Sequence, residues 1–344
     1  MDTSLNRFRD KPLKRKSRAW HQCLSTAKPP VSSSRELCNN RRVTNDLGLI
    51  QKLTRLYTFY SPIRKGKYRL AQASLKLAST LPEQVVVTAT DGRRLRVNFD
   101  DHLSQLMYFL GEYERPISEI VRTFVTPGDV CVDVGANIGW YTTLMQKLVG
   151  ARGSVHAFEP VPTTFNILTD NVASNDHSGS VILNNLALGE EAGEVEMHTF
   201  DDRSTGHASI SDFGDATAHG IPTQMIRLND YLSEKRLEDV KFVKIDIEGA
   251  ELSMLKGSSR LFEQTTPPII VIEAALATTQ AFGYLPDDLL DLIGSRRDYY
   301  FYEVDNIDGS LREISRFGRE SIGANVLCVP SGSYLEERAA LGIS

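Results

Sequence analysis

The chain has 344 residues, 41% of them hydrophobic and 24% charged, a composition that suits one large globular domain with additions and excludes a fibrous or low-complexity protein. No run approaches the roughly 18 apolar residues of a membrane span, no apolar leader follows Met1, and Cys23, Cys38, Cys131 and Cys328 lack zinc-type spacing, so a cytoplasmic, reducing location with no structural metal is expected. The net charge of −5 hides an asymmetry: residues 1–70 carry 17 Lys/Arg against 4 Asp/Glu, and the remainder is strongly acidic.

Residues 1–45 hold few large apolar side chains and read as a basic, disordered tail. Leu47, Ile50, Leu53, Tyr57 and Tyr60 then recur at helical spacing, and a second helix is predicted from Tyr68 to Ser79. Packing against the main domain is the expected use of that stripe, with a subunit contact or a membrane surface as the other options. Two β-rich runs, Gln84–Ala89 and Arg93–Phe99, flank Asp91-Gly92 and predict a hairpin. Helices are expected up to Leu110 and again from Pro116. The domain plan is therefore a tail (1–45), an N-terminal cap (46–112), a main domain (113–330) and a C-terminal tail (331–344).

From Pro127 strands and helices alternate, which predicts an α/β fold with a doubly wound, mostly parallel sheet. The strands expected are Val130–Val134, Ser154–Phe158, Val181–Leu186, Val240–Ile245 and Ile269–Ile272, followed by an antiparallel end formed by Tyr299–Val304 and Asn325–Val329. Glu194–Phe200 and Thr223–Arg227 are added β segments around a polar loop, Asp201–Pro222.

The first of these strands ends in Asp133-Val134-Gly135-Ala136-Asn137-Ile138-Gly139. A dinucleotide fingerprint needs Gly-x-Gly-x-x-Gly; here the middle glycine is missing and an acid precedes the turn. A carboxylate there repels a pyrophosphate and suits a cationic ligand, which points to S-adenosylmethionine. Glu159 lies 20 residues beyond Gly139, the spacing of an acid that accepts ribose hydroxyls. Asp246 closes the fourth strand. Acids at strand ends also cap helices, but the three together, beside a glycine turn, are expected to converge on one crevice at the carboxyl ends of the strands.

With Phe158-Glu159-Pro160, Phe109-Leu110-Gly111-Glu112-Tyr113-Glu114 and Lys244-Ile245-Asp246-Ile247-Glu248-Gly249-Ala250-Glu251, the chain resembles the FkbM-type methyltransferases, a branch of the class I S-adenosylmethionine-dependent enzymes. The resemblance covers about Asp100 to Pro330. It implies a Rossmann-like seven-stranded sheet with an antiparallel last strand. It also implies S-adenosylmethionine as methyl donor and methyl transfer to a hydroxyl of a sugar, glycan, lipid or secondary metabolite. Position by position, Asp133, Gly135, Asn137 and Gly139 would hold the methionine end, Glu159 the ribose and Ala187 the adenine, with Tyr113 and Asp246 also at the cofactor.

Asp246 and Glu248 are the candidates at the reacting end, Asp246 as general base, with Glu251 and Glu273 available to orient it or the acceptor. Glu251 serves equally well at the start of a helix. His207, in the polar loop, is the alternative base, and a solvated loop histidine is its ordinary reading. Asn229-Asp230 could join Asp246 around a divalent ion, but start a helix more commonly, so no metal is expected. The basic N-terminus keeps open a nucleic-acid or protein methyltransferase; the acidic main domain argues against nucleic acid. A nicotinamide dehydrogenase is disfavoured by the missing glycine, and a non-catalytic binding protein on the same fold is a further alternative.

Overall fold

The computed structural model describes residues 47–61, 66–77, 82–99, 102–175, 180–200, 209–211, 218–317 and 323–343. Residues 1–46, including the expected tail, and His207 lie outside the described residues.

The N-terminal part comprises α1 (Leu49–Tyr60), α2 (Lys67–Lys76), the antiparallel hairpin β1 (Gln84–Thr88) and β2 (Arg94–Asn98), α3 (His102–Leu110) and α4 (Arg115–Phe124). The main sheet is then built from β3 (Val130–Val134), α5 (Trp140–Val149), β4 (Ser154–Phe158), α6 (Pro162–Ser174) and β5 (Ser180–Asn184). A small sheet follows, of β6 (Ala187–Leu188), β7 (Gly193–Phe200) and β8 (Ala218–Ile226), in the order β6-β8-β7. The chain returns to the main sheet through α7 (Leu228–Lys235), β9 (Val240–Ile245), α8 (Glu251–Lys256), α9 (Arg260–Glu263), β10 (Ile269–Ala275), α10 (Leu276–Ala281), α11 (Pro286–Arg296) and β11 (Tyr299–Val304). It ends with β12 (Leu311–Ile314), β13 (Gly323–Pro330) and α12 (Leu335–Ala340).

The main sheet has the order β12-β11-β13-β10-β9-β3-β4-β5. Strands β5, β4, β3, β9 and β10 are parallel, and β13 runs antiparallel to both β10 and β11. This is the expected seven-stranded α/β sheet with a reversed last strand, widened by one short edge strand, β12. Residues that alternate along one strand enter different cores: Ile269, Val271 and Leu327 pack on one face, Ile270, Ile272 and Val326 on the other. Burial on both faces explains why these strands read as continuous apolar runs. Strand order reverses beside β3, whose neighbours are β4 and β9, so a crevice opens at its carboxyl end.

The hairpin is fastened to this crevice by polar contacts. Arg93 is fully buried; its Nε donates to both oxygens of Asp91 (3.0 and 2.9 Å), and Nη1 donates to the Trp140 carbonyl (2.6 Å) and Thr143 Oγ1 (2.8 Å). On β2, the amides of Arg94 and Arg96 donate to Asn175 Oδ1 (2.8 Å) and Asn171 Oδ1 (2.6 Å). The Nδ2 groups of the two asparagines return bonds to the Arg94 and Arg96 carbonyls (2.7 and 2.9 Å).

Two expectations are corrected. The apolar stripe on α1 does not pack inward: Leu53, Leu56, Tyr57 and Tyr60 are exposed, and Gln51, Thr54 and Thr58 face the interior. Hydrogen bonds decide this orientation, from Gln51 Nε2 to the Ser74 carbonyl (2.6 Å), Arg55 Nη1 to the Tyr108 carbonyl (2.6 Å) and Thr58 Oγ1 to the Phe109 carbonyl (2.5 Å). The segment 331–344 is not a simple tail either. α12 is held by the Lys241–Glu337 ion pair (3.3 Å), by buried Arg338, and by Tyr334, whose ring meets Phe124 edge-on. Among the described residues, no helix is long and apolar enough to cross a membrane.

Candidate active site

The glycine turn after β3 is folded against its neighbours. Gly135 (φ +79°) and Gly139 (φ +90°) take left-handed conformations. A Cβ on Gly135 would lie 1.8 Å from the Asp246 carbonyl oxygen, and one on Gly139 would lie 2.6 Å from Leu168 Cδ1. Gly135 therefore excludes a side chain on two counts, its positive φ and the backbone beside it, and Gly139 chiefly through its positive φ. The amides of Gly135 and Ala136 donate to the Phe158 carbonyl (3.0 and 2.9 Å), and that of Asp246 to the Val134 carbonyl (3.0 Å). The ends of β3, β4 and β9 are thus tied together.

Glu159 faces this turn. Its Oε2 accepts from the Asn137 amide (2.9 Å) and its Oε1 from the Val161 amide (2.9 Å). Burial pushes its carboxyl up to about 7; the two amides oppose the rise, and the charge of Asp133 adds to it. Each carboxylate oxygen keeps a lone pair after its backbone bond. Asn185 holds the same corner by donating to the carbonyls of Glu159 (2.8 Å) and Pro160 (2.9 Å).

A cavity of about 1190 Å³, part of it continuous with solvent, lies over the turn. Gly135, Asn137, Glu159, Ala187, Asp246, Glu248 and Tyr113 all line it. One wall is apolar, formed by Phe158, Leu186, Ala187, Leu188 and Met197. Asp133 and Gly139 are not among its lining residues. Asp133 is buried beneath, where its Oδ2 accepts from Thr142 Oγ1 (2.6 Å) and its Oδ1 has no hydrogen-bond partner among the described residues. Burial raises its carboxyl above the ordinary value, with the charge of Lys244 opposing.

The far end of the cavity is acidic. Asp246, Glu248 and Glu273 each offer a carboxylate oxygen within 4.8 Å of the others, the only such carboxylate–histidine–cysteine cluster among the described residues that could hold a metal ion. Lys244, its side chain 3% exposed, reaches Asp246 Oδ2 at 2.7 Å and sits 4.8 Å from the centre of the Tyr141 ring. Burial opposes its charge, but Asp246, Glu114 and Asp133 outweigh that and raise its pKa, so the ammonium is retained. Asp246 in turn drives the Glu273 carboxyl far above the usual range, helped by burial and by Glu248.

Glu251 does not line the cavity. Its Oε1 accepts from the amides of Ile247 and Gly249 (3.1 Å each), and Tyr284 donates to its Oε2 (2.9 Å). It is committed to the turn that presents Glu248, itself at φ +54°. Asn229 and Asp230 are likewise spent on α7: Asn229 bonds Ser259 Oγ and the Arg260 amide, and Asp230 pairs with Arg227. They do not join Asp246. Within the loop 201–217 only residues 209–211 are described, and Ile210 lines the cavity. Glu114 was not singled out as a site residue from the sequence, yet it lines the cavity, accepts from Tyr141 Oη (2.8 Å) and adopts φ +37°. Its signal was only its place in Tyr113-Glu114, directly before a helix-opening Arg115-Pro116.

Residues 133–301 match the methyltransferase FkbM domain. The chain is 29% identical over 163 residues to the hexuronic acid methyltransferase AglP of Haloferax volcanii, covering 47% of this chain and 64% of that protein. It is 30% identical over 162 residues to the 31-O-demethyl-FK506 methyltransferase FkbM of Streptomyces tacrolimicus, covering 38% and 60%. The chain thus spans 60–64% of the length of these two relatives. Among solved structures, M. jannaschii TYW2 in complex with AdoMet aligns with a TM-score of 0.38 at 14% identity (72% of this chain, 84% of that one). A SAM-dependent O-methyltransferase of Thermotoga maritima aligns at 0.36 and 11% identity (74% and 96%). The glycine turn, the Glu159 corner and the Asp246–Glu251 block all lie inside the segment that matches the methyltransferase FkbM domain.

Proposed function

We propose that the cavity binds S-adenosylmethionine and that the chain transfers its methyl group to a hydroxyl of a sugar or other small molecule. The observation that carries this is the convergence, in one cavity, of a Cβ-excluding glycine turn, a buried acid with free lone pairs and a carboxylate cluster. The residues present fit the cofactor. Glu159 would take the two ribose hydroxyls on its remaining lone pairs, and the Ala187 wall would take the adenine. Gly135, Asn137 and Tyr113 would lie along the methionine portion, with Asp133 setting the charge beneath the turn. The acidic end suits a ligand carrying positive charge. When bound, the cofactor supplies a methyl group on a good leaving group, so the protein's task is chiefly alignment, which is worth about 7–11 kcal/mol for well-oriented reactants.

At the reacting end, Asp246 accepts the acceptor's hydroxyl proton, with Glu248 beside it. Lys244 fixes Asp246 through their 2.7 Å ion pair, and Asp246 raises the pKa of the Glu273 carboxyl beside it. His207 remains the alternative base. A sugar-type acceptor is favoured by the hexuronic acid methyltransferase among the relatives, and a secondary metabolite by the FK506 one. A nucleic-acid substrate is disfavoured because the three clustered carboxylates would face phosphates.

The test is titration calorimetry with S-adenosylmethionine, followed by transfer of a labelled methyl group across hydroxyl acceptors. Micromolar-range binding and label on an acceptor oxygen are the expected results. No binding to the intact chain refutes the reading.

A further inference from the structure

α1 is built the wrong way round for a helix whose only surroundings are protein and water. At 3.6 residues per turn, Leu49, Ile50, Leu53, Leu56, Tyr57 and Tyr60 share an arc of about 120°. That arc faces outward: Leu49 is 72% exposed, Leu56 57% and Tyr60 74%. The inward face is polar and held by the hydrogen bonds of Gln51, Arg55 and Thr58. Those bonds fix the rotation of the helix, so the apolar arc cannot turn inward without breaking them. Leu70 on α2 and Leu77 just past its C-terminal end are also exposed.

The charge carried by this segment itself has one sign. Residues 47–82 contain seven Lys/Arg and no Asp or Glu. Of these, Lys52, Arg69 and Lys76 are exposed on α1 and α2. A second copy of the chain would bring two such cationic faces together, because a two-fold contact pairs a surface with itself. The chain's own residues 1–46 are a poor cover for the same reason, with 11 Lys/Arg against 4 Asp/Glu. What satisfies both the apolar arc and its cationic surround is an anionic lipid surface, into which leucines insert while Lys and Arg meet headgroups and Tyr sits at the boundary.

We propose that α1 and α2 dock the protein on the surface of an anionic bilayer, without spanning it. This stands independently of the reaction assigned to the cavity.

The experiment is co-sedimentation of the full chain with phosphatidylcholine vesicles, with and without phosphatidylserine, at low and high salt. The comparison is the double variant Leu53→Glu/Leu56→Glu. Both positions are exposed, so the variant should fold, and matching circular-dichroism melting curves establish that it does. A second variant, Lys52→Glu/Arg69→Glu, tests the charge alone. Expected are binding that needs phosphatidylserine, release by salt, and a loss of about tenfold or more in partitioning for the leucine variant. No binding to phosphatidylserine vesicles overturns the proposal. So does equal binding by wild type and leucine variant, which would assign binding to other basic residues. A dimer in light scattering that the leucine variant dissolves, with no vesicle binding, assigns the face to a second copy instead.

Discussion

Glu159 ties folding to pH in a way that can be measured without any substrate. Its carboxyl is pushed by burial from an ordinary 4.5 to about 7. The shift of about 2.5 units corresponds to about 3 kcal/mol, with no discount for solvent because the group is buried. Below pH 4.5 both folded and unfolded chains hold the proton, and Glu159 imposes no cost. As pH rises towards 7 the unfolded chain releases the proton while the folded one keeps it, so stability falls; above 7 the full cost of a buried charge is present. Glu159→Gln cannot titrate. The difference in unfolding free energy, variant minus wild type, should therefore rise by about 3 kcal/mol between about pH 4.5 and 7.5. Any constant offset from the altered backbone acceptors drops out of that slope. Urea unfolding followed by circular dichroism at several pH values measures it. A difference that does not change with pH refutes the account of Glu159 as a desolvated acid. Saturating S-adenosylmethionine should flatten the wild-type slope, because ribose hydroxyls stabilise the carboxylate, and should have little effect on the variant.

Three further outcomes are expected. Gly135→Ala and Gly128→Ala both place Cβ at positive φ, but only the former meets a carbonyl, at 1.8 Å, while nothing lies within 4 Å of the latter. Thermal unfolding should show a loss of about 1–2 kcal/mol for Gly128→Ala from backbone strain, and a loss at least about 2 kcal/mol larger for Gly135→Ala; equal losses would contradict the close approach of the turn to β9. Asp246→Asn should lower the methyl-transfer rate about 10²–10⁴-fold in a labelled-cofactor assay, with a rate within threefold of wild type excluding Asp246 as the base. Glu273→Gln mimics the protonated carboxyl and should change the rate at neutral pH by less than about threefold, whereas a collapse matching that of Asp246→Asn would mean that Glu273 works ionised.

The parallel core was legible because its strands are buried on both faces and so carry long apolar runs, such as Val130–Val134 and Ile269–Ile272. Acids and glycines at their ends marked the carboxyl edge. β12 was not legible, since Leu311–Ile314 is a short edge strand with one buried residue. The direction of α1 was beyond periodicity, which identifies an apolar face but not the side on which its partner lies. The raised pKa of Glu273 was hidden for a different reason. It arises from the meeting of β9 and β10, which brings together acids 27 residues apart in the chain. Glu114 enters the cavity from α4's start, ahead of the matched domain, so neither strand pattern nor spacing pointed to it.

The paired asparagines at the end of α6, Asn171 in its last turn and Asn175 at its cap, change what the hairpin is exposed to. Four residues of helix rise about 6 Å and two residues of strand about 6.7 Å, so Asn171 and Asn175 can meet Arg96 and Arg94 in register. Their carboxamides present a donor and an acceptor to each, as a third strand would. An isolated two-stranded hairpin is only marginally stable, and a bare edge invites pairing with strands of other molecules. Here a helix impersonates the missing strand and closes that edge. The pairing also resists slippage, because a one-residue shift would leave both carboxamides opposite backbone groups already turned towards β1. The edge is protected from aggregation by two side chains at the far end of a helix that begins one residue after Val161, whose amide donates to Glu159 at the cavity wall.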